Sequence, residues 1–139
     1  VGADGVHVGQ DDMPVAQVRE LMGSDALVGL SIKTQEEAAS IPQTGLDYIC
    51  IGGVFDTQSK NNANSIGVKG WKRLASISLE AMPEKMPVGA IAGIDLNGAE
   101  ELTQAGASGI AVISALFMED DVQKAARAFR TRIEKARLA

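Results

Sequence analysis

The chain has 139 residues, 45% hydrophobic and 22% charged, with 13 Lys plus Arg against 18 Asp plus Glu and a formal net charge of −5. This is enough for one compact domain, too short for a complete eight-stranded β/α barrel of at least about 200 residues, and too apolar for a disordered tail. No apolar run reaches the ~18 residues of a membrane span, no basic cluster with interleaved aromatics points to nucleic acid, and Cys50, the single cysteine, makes no internal disulfide, so a reducing cytoplasm is the default.

Residues 5–8 form the first expected strand, with His7 between Val6 and Val8. A lone histidine without Cys or His partners reads as a hydrogen-bonded structural residue. The strand leaves through Gly9-Gln10-Asp11-Asp12. Adjacent carboxylates at a strand exit suit Mg²⁺, a hard cation that takes oxygen ligands. Asp12 equally suits the cap of the helix expected over 14–22, where Val15, Val18, Leu21 and Met22 recur at helical spacing. The second strand, 27–31, ends at Ser31, placed either to touch a ligand or to cap a helix. Lys33 and Thr34 follow, and Thr34 with Glu37 three residues on makes a capping-box pattern that opens a helix over 35–41.

The third strand, 47–54, runs into Asp56-Thr57-Gln58-Ser59-Lys60 and a polar stretch over 61–66. Two hydroxyls and an ammonium can bind phosphate oxygens together, although an ordinary turn with a solvated lysine has the same composition. Cys50 sits mid-strand with no neighbouring cation and reads as packing. A helix is expected over 68–82, a fourth strand over 87–91, a helix over 99–105, and a fifth strand over 109–114. The small residues Ala92-Gly93 and Ser114-Ala115 at the last two exits would let a phosphate approach backbone amides. The last helix, 121–138, places Val122, Ala125, Ala126, Phe129 and Ile133 on one face, follows Glu119, Asp120 and Asp121, and closes with Lys135 and Arg137. Those charges complement its dipole, and Lys124, Arg127, Arg130 and Arg132 read as a solvated outer face.

The strands are nearly continuous in apolar residues, as in parallel sheets buried on both faces. Alternation of this kind implies right-handed crossovers. An open doubly wound sheet and a part of a barrel both satisfy it.

The ordered exits closely resemble the thiamine phosphate synthase (thiamine-phosphate pyrophosphorylase) family. The residues that carry the resemblance are Ala-Asp-Gly-Val-His-Val-Gly-Gln-Asp-Asp (3–12), Val-Gly-Leu-Ser (28–31), Asp-Tyr-Ile-Cys-Ile-Gly-Gly-Val-Phe-Asp-Thr-Gln-Ser-Lys (47–60), Pro-Val-Gly-Ala-Ile-Ala-Gly-Ile (87–94) and Gly-Ala-Ser-Gly-Ile-Ala-Val-Ile-Ser-Ala-Leu (106–116). The resemblance implies an α/β fold, a partial TIM (β/α)8 barrel comprising about strands four to eight, with strands one to three expected to be missing from residues 1–139. It implies coupling of hydroxymethylpyrimidine diphosphate to hydroxyethylthiazole phosphate with Mg²⁺ and release of pyrophosphate. It makes Asp12 the metal ligand, Ser31 a catalytic neighbour of the substrate, and Lys60 a catalytic contact to pyrophosphate. Thr57 and Ser59 would help bind thiazole phosphate, with Gly93, Ile113 and Ser114 on the phosphate-binding exits. The family's Gln-x-Arg-x-Lys diphosphate grip has no match, so the chain alone is expected not to complete catalysis. The family's usual proline is Asp56 here, its second Thr is Ser59, and the first glycine of Gly-Gly-Ile is Ala92, which asks for a loop with negative φ at that point. Competing expectations are a thiazole tautomerase-like enzyme and a non-catalytic phosphate-binding or assembly module, whose open strand edge invites a homo-oligomer.

Overall fold

Strands β1 (Gly5–Val8), β2 (Leu27–Ile32), β3 (Tyr48–Ile51), β4 (Val88–Ile91) and β5 (Ile110–Ala111) hydrogen-bond in that order, every pair parallel. The computed structural model describes residues 2–55, 65–82 and 84–139. Helices α1 (Val15–Met22), α2 (Gln35–Ala39), α3 (Gly67–Ala81), α4 (Leu96–Gln104), α5 (Ser114–Phe117) and α6 (Val122–Leu138) alternate with the strands and follow the last of them. A doubly wound sheet reverses its strand order at a switch point. Here the order never reverses, which decides between the two architectures: the sheet is a curled half-barrel. Among the described residues, no helix is long and apolar enough to cross a membrane.

Side chains of a strand alternate between the two faces of its sheet. The parallel register places Leu30 beside Ile49 and Ile49 beside Val88, then Ile32 beside Ile51 and Ile51 beside Ala90. These residues are buried together with Val15 and Val18 of α1, Trp71, Leu74 and Ala75 of α3, Ala99 and Leu102 of α4, and Phe129 of α6. Removing one branched side chain of this kind from water contributes about 1.5–3 kcal/mol. Trp71 Nε1 donates to the Gly89 carbonyl at 3.1 Å and fixes α3 across β4.

Local chemistry sets the helix starts. Thr34 accepts from the Glu37 N–H and Glu37 accepts from the Thr34 N–H, the expected capping box. Asp95 accepts from the Gly98 N–H at 2.7 Å, so α4 begins at Leu96, earlier than the apolar spacing predicts. Phe55 packs against Gly98, where a Cβ would stand 2.5 Å from Phe55 Cε2. The third strand is shorter than expected because the chain turns out of the sheet at Gly52 and Gly53, the latter with φ of 71°. The fifth strand also stops early, and Ser114 opens α5 rather than ending a strand. Of the basic residues on α6, Arg132 bonds Glu100 of α4 at 2.6 Å and Arg130 pairs with Glu134 one turn on, so this face is partly spent on internal contacts.

Opposite the strand exits, Arg19 ties the lower loops together. Its guanidinium donates to the carbonyls of Gly23, Ala26 and Gly45 and to Asp47 Oδ2 at 2.6 Å. Asp47 Oδ2 also accepts from the Val28 N–H at 2.7 Å. That backbone bond, opposed by partial burial and assisted by Arg19, holds the Asp47 carboxyl below the usual carboxylate range. Its stabilisation is therefore present above the unfolded pKa and is lost as pH falls through the lower folded one. Replacement of Arg19 by Ala leaves several carbonyls and a carboxylate without their donor, and urea denaturation of Arg19→Ala at neutral pH is expected to show a loss of about 2–3 kcal/mol.

Candidate active site

The face of the sheet opposite the helix-packed core carries small and polar residues. Register places His7 beside Gly29 and Gly29 beside Tyr48 in one row. The next row holds Ser31, Cys50 and Gly89. A barrel of this type ordinarily fills its interior with bulky branched side chains. Here glycines make room for the side chains of neighbouring strands. A Cβ on Gly29 would collide with the Tyr48 ring and with His7 Nδ1, and one on Gly89 would stand 2.9 Å from Cys50 Sγ.

Across the gap at Gly29, His7 Nδ1 lies 3.1 Å from Tyr48 Oη, and its Nε2 lies 2.9 Å from Ser31 Oγ. The His7 and Tyr48 ring centroids are 5.4 Å apart with planes tilted by 32°. Gln10 Nε2 donates to the Ser31 carbonyl at 2.8 Å and ties the first exit loop to the end of β2. Ser31 is therefore bonded to His7 and does not cap a helix, since Thr34 holds that position. His7 is hydrogen-bonded as a structural histidine would be, but it faces the open side of the sheet rather than the core. Desolvation lowers its pKa from 6.5, which favours the neutral ring, and burial raises both the Tyr48 phenol and the Cys50 thiol. Cys50 is buried and unpaired by any disulfide.

All five strand exits open on one edge of the sheet, because every pair is parallel. At the first, Asp12 Oδ2 accepts from the Gly9 N–H at 2.7 Å. The carboxylate thus closes its own loop, and the N-cap of α1 is Pro14 with no side-chain cap bond, so Asp12 is not that helix's cap. Among the described residues, no three His, Cys, Asp or Glu gather as a ready-made metal cage. At the second exit, Lys33 runs over Gly52: a Cβ there would lie 3.6 Å from Lys33 Cγ. Thr57, Ser59 and Lys60, with Asp56, lie outside the described residues. At the fourth exit, Ala92 has φ of 76° and Gly93 has φ of 69°. The expected negative φ at Ala92 is therefore wrong; it is the one described non-glycine residue in the left-handed region. At the fifth, Ile113 is exposed and immediately precedes α5, which opens at Ser114.

The structure thus adds Tyr48, Lys33 and Gln10 to the residues read from sequence. Period-two alternation from Ser31 would have found Lys33, and from Cys50 would have found Tyr48, because residues two apart share a face. Gln10 had no such signal, since loop geometry directs it.

A family profile described as "Thiamine monophosphate synthase" matches residues 1–116. A thiamine-phosphate synthase of Agrobacterium fabrum is 44% identical over 97% of this chain and 61% of its own length. One of Methanosarcina barkeri is 38% identical over 100% of this chain and 61% of its own. The chain spans about three-fifths of the length of these curated relatives. Among solved structures, the thiamine phosphate pyrophosphorylase of Pyrococcus furiosus superposes with a TM-score of 0.79 at 36% identity, over 96% of this chain and 61% of the other. A 3-hexulose-6-phosphate synthase at 16% identity and a TM-score of 0.63 shares the fold.

Two measurements check this geometry. The C2–H resonance of the sole histidine is expected to titrate with a midpoint below 6.5. Between that midpoint and 6.5 the unfolded chain binds more protons, so stability should rise with pH through this window, and His7→Gln should flatten the rise. At Ala92, relief of the left-handed strain outweighs the added unfolded-state freedom of glycine, and thermal denaturation of Ala92→Gly should show a gain of about 0.5–1 kcal/mol.

Proposed function

The chain belongs to the thiamine monophosphate synthase family, and on that premise we propose that it contributes to the coupling of hydroxymethylpyrimidine diphosphate with hydroxyethylthiazole phosphate. The observation that carries this reading is that Asp12, Ser31, Gly93, Ile113 and Ser114 all stand at the carboxyl-terminal edge of one parallel sheet. Ligands of parallel α/β sheets bind at that edge.

In this reading the thiazole nitrogen attacks the pyrimidine methylene carbon, the bond to the diphosphate oxygen breaks, and pyrophosphate departs. The chemistry needs positioning and charge neutralisation rather than a protein nucleophile. Thr57 and Ser59 offer hydroxyls to the thiazole phosphate, and the backbone at Gly93 and at Ile113–Ser114 offers amides to it. Lys60 neutralises the departing pyrophosphate, and Lys33, lying over Gly52, supplies a further cation. Ser31 holds the substrate from the inner face.

The donor chemistry at the first exit fits Mg²⁺. Gly9 occupies one face of Asp12 Oδ2, and Asp12 is otherwise exposed, with Asp11 beside it in the loop. Mg²⁺ takes one or two protein carboxylates and completes its shell with water and substrate phosphate, so a full protein cage is not required. Asp12 would hold the ion, which when bound supplies charge neutralisation on the diphosphate. A cytoplasmic setting is in keeping with the free thiol of Cys50.

Calorimetric titration with hydroxyethylthiazole phosphate tests the assignment. The chain is expected to bind it, and Lys60→Ala, or the pair Thr57→Ala with Ser59→Ala, to weaken binding by about tenfold or more, the loss of a charge-assisted contact. Absence of binding would overturn the reading. Full thiamine phosphate formation by this chain alone, at the rate of a full-length relative, would instead overturn the view that the diphosphate grip lies outside it.

A further inference from the structure

Lys33 stands one residue past the end of β2, on the same face as Ser31. Two bonds fix the backbone at this level. The Lys33 N–H donates to Glu37 Oε2 at 2.6 Å, and the Gly52 N–H donates to the Ile32 carbonyl at 2.8 Å, so β2 stays paired with the chain leaving β3. From there the lysine stem runs sideways over β3. A Cβ built on Gly52 would lie 3.6 Å from Lys33 Cγ, 3.8 Å from Lys33 Cε and 3.6 Å from Ile91 Cγ2. The stem therefore rests on a position that has no side chain, and Ile91, the last residue of β4, borders the same position. The ammonium, one bond beyond Cε, takes no part in the ion pairs of the described residues, which join Arg19 to Asp47, Arg130 to Glu134 and Arg132 to Glu100.

We propose that Lys33 is a phosphate-binding residue: its side chain crosses β3 at Gly52 to bring a positive charge to the phosphate of hydroxyethylthiazole phosphate at the fourth exit. This rests on the family reading above. Direction decides between the two phosphorylated substrates. The first exit, where Asp12 would hold Mg²⁺ and the diphosphate, adjoins β2 on the side away from β3. The fourth exit lies on the side to which the stem leans. There Ala92 and Gly93 follow Ile91 at once and turn with φ of 76° and 69°. Such a turn offers backbone amides but no charge, and the next ionised side chain along the chain, Asp95, is negative and accepts from the Gly98 N–H. A phosphate at this exit gains from a cation carried in from another strand. Lysine suits the role as a point charge on a flexible stem, with no fork geometry to satisfy.

Calorimetric titrations with three probes test the assignment: hydroxyethylthiazole phosphate, the same alcohol without its phosphate, and pyrophosphate with Mg²⁺. Lys33→Ala is expected to weaken the first about tenfold, as for one charge-assisted contact, and to change the other two by less than about twofold. Binding of hydroxyethylthiazole phosphate should also become less sensitive to salt in Lys33→Ala, and Lys33→Arg should recover most of the affinity because the charge returns. Gly52→Val keeps the lysine but fills the path of its stem. It should weaken hydroxyethylthiazole phosphate severalfold in the wild-type background and by less than about twofold in the Lys33→Ala background, with circular dichroism confirming that each variant is folded. Additive losses would overturn the route over Gly52. An equal loss for the alcohol and its phosphate would reduce Lys33 to packing, and a loss confined to pyrophosphate would assign it to the first exit; either overturns the proposal. If the wild-type chain binds no hydroxyethylthiazole phosphate, the family reading falls together with this assignment, whereas wild-type binding indifferent to Lys33→Ala removes the assignment alone.

Discussion

The two faces of this sheet differ because strand alternation sends branched aliphatic side chains to one and glycines, hydroxyls and two rings to the other. Val28, Leu30, Ile32, Ile49 and Ile51 all fall on the helix side, and Gly29, Ser31, Cys50 and Gly89 on the other. The helix side then closes without help from the inner side, and the inner side can hold polar groups. Slipping any strand by one residue would exchange the two sets, burying hydroxyls against the helices and placing branched aliphatics on the inner face. Both faces thus depend on one register, and among the described residues the inner rows are stitched by side chains at the Tyr48–His7–Ser31 trio.

The two ends of the sheet divide the remaining work. At the amino-terminal end of the strands, Arg19 and Asp47 hold loops together through backbone carbonyls and a backbone N–H. At the other end, polar side chains point at loops that leave much of their chemistry free: Asp12 uses one oxygen on its own loop, and Lys33 lies along a glycine. This is the partition expected of a β/α barrel, with stabilising contacts below and reactive groups above.

Much of this was legible in the sequence because it is local. The Thr34–Glu37 box is a four-residue pattern, and the apolar runs located all five strands. Strand order was not legible, since periodicity is the same for an open sheet and a barrel; only the unreversed pairing decides it. The site residues that sequence named are those next to a strand's end, where motif and geometry coincide. Tyr48 escaped notice because its partner is 41 residues away and the contact needs a glycine on the strand between them. The edges of elements failed for physical reasons too: Asp95 starts α4 early by capping, and β5 ends early because Ser114 turns into a helix.

Ala92 shows how a local rule fails where a loop is fixed from outside. A methyl group in the left-handed region costs roughly 1–2 kcal/mol, and intrinsic preference alone would set φ negative. Both flanks deny that choice. Ile91 is still in the sheet, paired with Ala111, and Ile94 is buried in the core, followed at once by Asp95, whose side chain is committed to the Gly98 N–H. Ala92 and Gly93 alone must reverse the chain between strand and helix, and both do so with positive φ. Strain of this kind persists only when its surroundings over-determine it. The strand and the capped helix do so here, so the fourth exit is shaped by the fold before any ligand arrives, and a bound phosphate would meet a backbone already turned.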